Sequence, residues 1–196
     1  MKIFFDNVNF QSNSGPNSFS RKLAQSLIDN GHFLTNNKDA DLQLSFIQSV
    51  SEHPVLIQRL DGIYFNSEQD WNELNKPIKE TYERANGVIF QSYFNKTLSE
   101  KYFGQKENSC VIHNGADLAK ISHIPVLDHP VINKFEHVWA CASSWRPHKR
   151  LSENVRYFIE NSSEDACLVI AGDNPDYQFN HERIFYVGKL NWEQLV

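Results

Sequence analysis

Three cations lie within five residues of an otherwise acidic chain, in the segment SSWRPHKR that spans residues 143–150. An apolar run precedes this segment and a helical pattern of apolar residues follows it, so the sequence predicts a strand end, a basic loop and the first turn of a helix. A helix N-terminus attracts anions through its free N–H groups and its partial positive charge. Arg146 adds a planar fork that matches phosphate oxygens, and Lys149 adds a point charge. We therefore predict that a nucleotide diphosphate binds at this loop.

Polar residues also follow the apolar runs in the first half of the chain. Arg59 and Asp61 stand at the end of one run, and Ser92 stands at the end of the next. Ligands of open α/β sheets bind at the carboxyl ends of the strands, so Arg59 and Asp61 are candidate site residues. A local ion pair or a capped turn fits the same two residues equally well. His113 follows a further apolar run and is another candidate.

A glycine precedes the first stretch of helical spacing. Pro16 suits the first position of a helix, which places Gly15 at the helix N-terminus. A glycine there allows a ligand to approach the backbone closely. A tight turn without a ligand is the alternative, and the sequence does not distinguish the two.

Short apolar runs alternate with helical spacing along the chain, which predicts parallel sheets covered on both faces. The pattern thins out after Leu118, where two prolines interrupt it. We expect two Rossmann-like, doubly wound domains at 1–120 and 136–196, joined by a linker at 121–135. The second domain is predicted to be incomplete, because it has three strands where such a domain has about five or six. The predicted strands are 2–5, 42–47, 54–62, 87–92, 110–112, 137–142, 167–173 and 184–188, and the predicted helices are 16–28, 71–85, 93–103, 151–159 and one that begins after Asn191.

The composition argues against several classes of function. A formal charge of −5 disfavours a general nucleic-acid binder, which needs a basic face. Cys110, Cys141 and Cys167 lie in or beside apolar runs at wide spacing, which predicts reduced core thiols and neither a disulfide framework nor a zinc site. The first apolar run is too short for a signal peptide, and no run reaches the length of a membrane span. We expect a cytoplasmic protein without a metal or cofactor, and peripheral membrane contact stays open.

Five motifs in one order resemble those of the family-four retaining glycosyltransferases. SGP at 14–16 resembles the glycine loop near the N-terminus of that family, and NGAD at 114–117 resembles the stretch that ends its N-terminal domain. SWRPHKR at 144–150 resembles the arginine–lysine motif for the donor phosphates. LVIAG at 168–172 resembles the next strand with its glycine, and YVGKL at 186–190 resembles the strand after that. The resemblance covers nearly the whole chain.

The resemblance implies a GT-B fold, with two Rossmann-like domains that face each other across a cleft. It implies transfer of a hexosyl group with retention and without a metal, from a nucleotide-diphosphate sugar on the C-terminal domain to a glycan, lipid or protein acceptor on the N-terminal one. Arg146 and Lys149 would neutralise the leaving diphosphate as its charge develops. The implied catalytic residues are Asp61, Arg146 and Lys149, the implied donor-binding residues are Gly15, Asn114, Gly115, Arg146, Lys149 and Gly172, and the acceptor-side candidates are Arg59, Ser92 and His113.

Two departures from the family pattern keep an alternative open. The interval from Arg146 to Lys149 is shorter than in many members. A pair of glutamates about two helical turns apart, which hold the sugar and the ribose in the family, would fall after Val196. The alternative is a truncated, non-catalytic module that binds a nucleotide sugar or a glycan. A dehydrogenase is disfavoured, because no glycine triplet of dinucleotide-binding spacing follows the first strand.

Overall fold

The computed structural model of the chain divides into two compact units, Met1–Gly115 and Ala116–Val196. Each unit contains its own parallel β-sheet. The structure describes residues 1–12, 14–125, 132–173 and 179–195.

The first unit is a six-stranded parallel sheet with helices between its strands. Its strands are β1 (Lys2–Asp6), β2 (Phe33–Leu34), β3 (Leu42–Phe46), β4 (Leu56–Leu60), β5 (Gly87–Phe90) and β6 (Ser109–Val111), and its helices are α1 (Gly15–Asp29), α2 (Trp71–Arg84) and α3 (Tyr93–Phe103). The strand order is β2-β1-β3-β4-β5-β6, and every neighbouring pair is parallel. The carboxyl ends of β4, β5 and β6 therefore lie side by side, which brings together the polar residues that follow these strands.

Two apolar clusters form the core of this unit. One joins β1 and β3 to α1 through residues such as Phe46 and Ala24. The other joins β4 and β5 to α2 through Leu60, Phe90 and Ile78. These side chains are almost completely buried, and burying a large apolar side chain stabilises a fold by about 1.5–3 kcal/mol. The clusters hold the strands in register and so determine where the strand ends lie.

The second unit contains a three-stranded parallel sheet. Its strands are β7 (His137–Ala142), β8 (Ala166–Ala171) and β9 (Ile184–Gly188), and its helices are α4 (Leu118–Ser122), α5 (Leu151–Asn161) and α6 (Trp192–Leu195). The strand order is β7-β8-β9. Helix α5 packs on the sheet through Leu151, Val155 and Phe158, which are all buried. This core places the segment after β7 at the same sheet edge as the segments after β8 and β9.

Strand β7 is exposed, so the prediction that it is buried was wrong. Val138 is 51 % exposed and Trp139 is 37 % exposed. Among the described residues, β8 is the only strand that pairs with β7, and the second edge of β7 is therefore open. A continuously apolar run is typical of a strand that is covered on both faces of its sheet, and the exposed side chains of β7 show that its faces are not covered in this way.

Periodicity in the sequence does not predict β2 or α4, because elements of two and five residues are too short to establish a period. Helix α4 and a 3-10 turn at Ile132–Lys134 fall partly within the predicted linker. The rest of that linker, residues 126–131, lies outside the described residues. None of the helices in the described ranges combines the length and the hydrophobicity that crossing a membrane requires.

The three cysteines are free thiols, but they differ in exposure. Cys167 is buried in β8, and Cys141 in β7 is partly buried. Cys110 is exposed, so its assignment to the core was wrong. Its strand, β6, is the last strand of the six-stranded sheet in the described part of the chain.

We predict that the three thiols react with iodoacetamide in a fixed order. Burial raises the pKa of Cys141 to about 11 and raises the pKa of Cys167 as well, which lowers the fraction of reactive thiolate. Cys110 should therefore be alkylated first, and Cys167 last. Mass spectrometry of peptides from a timed reaction measures the order, and the same reaction in urea should remove it. Equal rates at Cys110 and Cys167 in the folded chain would contradict the prediction.

Candidate functional site

The basic loop follows β7 at the carboxyl edge of the second sheet and contains a short 3-10 turn, Pro147–Lys149. Arg146 is extended before this turn, with φ −144° and ψ 160°, and its carbonyl accepts a hydrogen bond of 2.8 Å from the Lys149 N–H. Arg150 then adopts the left-handed conformation and precedes α5. Because of this 3-10 turn, Arg146 and Lys149, which are three residues apart, both precede the first residue of α5.

Two of the three cations in the loop are unpaired within the described residues. Arg146 and Lys149 are exposed, and neither forms a salt bridge with a described residue. Arg150 instead faces Glu153, with 3.5 Å between Nε and Oε1. An anion that reaches this loop would therefore meet Arg146 and Lys149 without displacing an acidic partner that belongs to the described residues.

Trp145 fastens the basic loop to the neighbouring strand. Its indole Nε1–H donates a hydrogen bond of 3.0 Å to the carbonyl of Ala171, at the end of β8. The Ser143 N–H donates to the same carbonyl at 3.2 Å. The loop therefore leaves the sheet in a defined direction, which orients Arg146 just beyond it.

Gly172 allows the loops after β7 and β8 to touch. Its φ is +128°, and a Cβ at this position would lie 1.8 Å from the carbonyl oxygen of Ser143. Its N–H donates to the Gly188 carbonyl at 2.7 Å. Backbone packing thus requires a glycine here even without a ligand. The predicted role of Gly172 in donor binding stays a prediction.

A polar cluster at the same sheet edge was not predicted from the sequence. The Ser144 hydroxyl donates to Asp173 Oδ2 at 3.0 Å, and Lys189 Nζ lies 3.4 Å from Asp173 Oδ1. The hydrogen bond from Ser144, followed by the charge and hydrogen bond of Lys189, lowers the pKa of Asp173. Each of the three residues comes one or two positions after the end of its own strand, which is the signal that could have identified the cluster.

In the first unit, four polar residues form a closed hydrogen-bonded ring at the carboxyl ends of β4, β5 and β6. Arg59 donates to the Asp61 carboxylate and, at 2.8 Å, to Oδ1 of Asn114. Asn114 Nδ2 donates to Gln91 Oε1 at 3.2 Å, and Gln91 Nε2 donates to the Asp61 carbonyl at 2.8 Å. The ring unites Arg59, Asp61 and Asn114, which the sequence proposed separately, and adds Gln91, which the sequence analysis missed.

Arg59 is the buried member of this ring. It is 4 % exposed, and its guanidinium lies 3.7 Å from the centre of the Phe19 ring of α1. Both terminal nitrogens of its guanidinium donate hydrogen bonds, one to Asp61 and the other to Asn114. These contacts describe a residue that positions two others, and direct contact with an acceptor stays a prediction.

Burial raises the pKa of Asp61, and the charge and hydrogen bond of Arg59 oppose part of that rise. A carboxyl group with a raised pKa is better suited to proton transfer near neutral pH than an ordinary aspartate. Its side chain is 20 % exposed, which leaves part of it open to solvent. The geometry is compatible with either of the two interpretations from the sequence, a local ion pair or a site residue.

The remaining predicted residues of the first unit have separate surroundings. Ser92 caps α3, and its hydroxyl oxygen accepts a hydrogen bond of 3.1 Å from the Asn95 N–H. His113 is exposed, and its ring lies 5.7 Å from that of Tyr93. Gly15 begins α1 and Gly115 follows β6, and a Cβ at either glycine would meet no atom within 4 Å. At these two glycines no packing contact excludes a side chain.

One group of side chains in the described ranges has the spacing of metal ligands. The candidate ligand atoms of Glu136, His137 and Asp165 lie within 4.8 Å of one another, and all three residues are exposed. They stand at the amino-terminal ends of β7 and β8, whereas the basic loop follows the carboxyl end of β7. This group therefore takes no part in the site around Arg146 and Lys149.

No family model matches the chain, and no curated protein matches it. Among solved structures, the chain is similar to Anabaena HepE, whose crystal structure contains UDP. The TM-score is 0.67 at 14 % sequence identity, and the match covers 100 % of this chain and 71 % of HepE. The predicted fold class, a GT-B-type α/β fold with two parallel-sheet units, is confirmed.

Proposed function

We propose that the chain is a glycosyltransferase that moves a hexosyl group from a nucleotide-diphosphate sugar to a glycan, lipid or protein acceptor. The observation that carries the proposal is a pair of cations at the carboxyl edge of the second sheet, Arg146 and Lys149, which form no salt bridge with any described residue. Ligands of parallel α/β sheets bind at this edge. The fold is shared with a protein that was crystallised with UDP, which supports a nucleotide diphosphate as the anion.

In the proposed reaction the bond between the anomeric carbon of the sugar and the diphosphate breaks, and a bond forms from that carbon to an acceptor hydroxyl oxygen, whose proton passes to a base. Negative charge develops on the leaving phosphate oxygens. Arg146 and Lys149 stabilise this charge, since fixed cations need no reorganisation in the transition state. The two side chains take the part that a divalent cation has in other phosphate sites, and we therefore propose transfer without a metal. Retention of the anomeric configuration is proposed from the motif resemblance alone.

Asp61 is the proposed acid–base group, because its raised pKa suits it to proton transfer. The proposed donor contacts are the residues that the motif resemblance implies: Gly15, Asn114, Gly115, Arg146, Lys149 and Gly172.

We propose that the protein is located in the cytoplasm. Free thiols at three positions support a reducing compartment.

The test is calorimetric titration of the purified chain with UDP, GDP and ADP, followed by assays of donor hydrolysis with the matching sugars. Arg146→Ala and Lys149→Ala should each weaken binding of the preferred nucleotide about tenfold or more, because each removes a charge-assisted hydrogen bond to phosphate. Arg156→Ala is the matched control. It removes an exposed positive charge from α5 of the same unit, and should leave binding unchanged.

The outcomes separate the two functions that the sequence left open. Turnover that depends on Arg146 supports the glycosyltransferase. Binding without turnover of any donor supports the non-catalytic module. Failure to bind any of the three nucleotides, or equal losses in Arg146→Ala and Arg156→Ala, would overturn the glycosyltransferase and the nucleotide-sugar-binding module.

A further inference from the structure

Two pairs of exposed rings stand on the segments that also carry the polar ring of the first unit, and we name the four residues the aromatic shelf: Phe65, Phe94, Tyr93 and His113. Phe65 is 55 % exposed and Phe94 is 68 % exposed, and the two form an edge-to-face pair with 6.4 Å between their ring centres. Tyr93 is 71 % exposed and packs against His113 at 5.7 Å. Large apolar groups clustered on a surface mark an interaction site more often than scattered ones do.

Buried asparagines hold both segments that carry the aromatic shelf. Asn75 of α2 accepts a hydrogen bond of 2.8 Å from the Tyr64 N–H and donates one of 2.6 Å to the Tyr64 carbonyl, which fixes the backbone beside Phe65. Asn95 of α3 donates to the Leu60 carbonyl and fixes the first helical turn, which contains Phe94. Both asparagines are 3 % exposed. The backbone that carries Phe65 and Phe94 is therefore held in place before a ligand binds, which lowers the cost of ordering it.

The aromatic shelf adjoins polar groups at the same strand ends. Phe65 lies in the segment that follows β4 and Asp61, and Phe94 follows β5 and Gln91. Strands β4 and β5 are neighbours, and Gln91 links the two segments through its 2.8 Å hydrogen bond to the Asp61 carbonyl. Apolar faces beside amide and carboxylate groups match a sugar ring, which offers a C–H face to an aromatic ring and hydroxyls to polar partners.

The charge near the shelf argues against an anionic membrane as its occupant. Residues 61–75, which include Phe65, contain four carboxylates and no lysine or arginine. On α3, which carries Phe94, Lys96 pairs with Glu100 at 3.8 Å and Lys101 lies in the last turn. Binding to anionic lipid requires clustered Lys or Arg next to the inserted apolar groups. Carboxylates beside aromatic rings instead suit neutral, hydroxyl-rich ligands.

We propose that the aromatic shelf is a saccharide-binding site and that the acceptor is a glycan. The statement that this glycan is the acceptor rests on the proposed function, which names three classes of acceptor: glycan, lipid and protein. Saccharide binding itself needs no nucleotide and no turnover, so it is tested separately. The C–H face of one sugar unit packs on the ring of Phe94, and Phe65 supports that ring from its edge-to-face position.

The experiment applies the fluorescently labelled full chain to a printed array of neutral and acidic bacterial and mammalian glycans, without nucleotide. The best glycan on the array is then titrated in solution by calorimetry. Phe94→Ala should raise the dissociation constant about tenfold or more, and Phe94→Trp should preserve binding, because an aromatic face is retained. Phe33→Ala is the matched control. Phe33 is 66 % exposed in the same unit but lies on β2, at the far edge of the sheet.

Three results would overturn the proposal. These are an array without bound glycans, equal affinities of the wild type and Phe94→Ala, or equal losses in Phe94→Ala and Phe33→Ala. Co-sedimentation with phosphatidylcholine–phosphatidylglycerol vesicles that depends on Phe94, together with an empty array, would assign the shelf to a membrane instead. UDP titration of the same samples distinguishes the saccharide site from the proposed nucleotide site. Loss of the glycan site leaves UDP binding intact, and loss of the nucleotide site leaves glycan binding intact.

Discussion

Gly172→Ala should unfold the second unit at a markedly lower urea concentration than the wild type. The new Cβ would lie 1.8 Å from the Ser143 carbonyl oxygen and 2.9 Å from its carbonyl carbon, and both atoms belong to the backbone. A flexible side chain could move aside, but here the ends of β7 and β8 must separate. A backbone conformation reserved for glycine adds about 1–3 kcal/mol, and repacking adds a similar amount. We expect a loss of about 3 kcal/mol or more in the free energy of unfolding.

The loss should also reach the basic loop. Trp145 Nε1 would lie 3.1 Å from the added Cβ, and its hydrogen bond to the Ala171 carbonyl holds the loop. Displacement of Trp145 would move Arg146, so nucleotide binding should weaken together with stability. Urea unfolding followed by tryptophan fluorescence suits this measurement, since three of the four tryptophans lie in the second unit.

Gly188→Ala is the control for the Gly172 prediction. Gly188 also has a positive φ, +71°, but no atom lies within 4 Å of a Cβ placed there. Only the conformational cost of about 1–2 kcal/mol applies. If the two substitutions shift the urea midpoint equally, contact with Ser143 does not explain why position 172 is a glycine.

Arg59→Met should destabilise the first unit by about 3 kcal/mol, because it leaves the largely buried Asp61 carboxylate without its cation. Asn114 Oδ1 also loses its donor, and Phe19 loses the guanidinium that stacks on it. Arg59→Met combined with Asp61→Asn should be more stable than Arg59→Met alone, since no unpaired charge remains. Urea unfolding monitored by far-UV circular dichroism measures both variants.

The effect of Arg59→Met should depend on pH with a known sign. Burial already raises the pKa of Asp61, and removal of Arg59 takes away the interaction that opposes this rise. The folded state then binds a proton more tightly than the unfolded state, where an aspartate has a pKa of about 3.9. The stabilising contribution of this proton is complete below about pH 3.9 and is lost as the pH rises through the folded pKa. The destabilisation caused by Arg59→Met should therefore become smaller as the pH is lowered from about 7 to about 4.5. The double variant should not show this dependence on pH.

Lys79→Met is the matched control for Arg59→Met. Lys79 pairs with Glu83 at 3.7 Å, but both side chains are about half exposed, and such a pair contributes less than about 1 kcal/mol. A midpoint for Arg59→Met that equals the midpoint for Lys79→Met would show that the polar ring does not stabilise the unit.

Much of the fold could be predicted from local sequence patterns. The predicted helix at 93–103 agrees with the bounds of α3, and the predicted strand at 137–142 agrees with β7. Apolar runs and helical spacing indicate which side chains form the buried face of a strand or helix. This pattern depends only on residues that are close together in the chain. Short elements such as β2 lie below the length at which a period is visible.

The sequence by itself determined the alternation of strands and helices and the position of the basic loop, because both depend on residues close together in the chain. Only the tertiary structure decided what surrounds each site residue. The hydrogen bond between Arg59 and Asn114 joins residues 55 positions apart, across the intervening strand β5. The contact that makes Gly172 necessary likewise depends on which strands are neighbours. Strand order follows from how the whole set of apolar faces packs, and no local pattern encodes it.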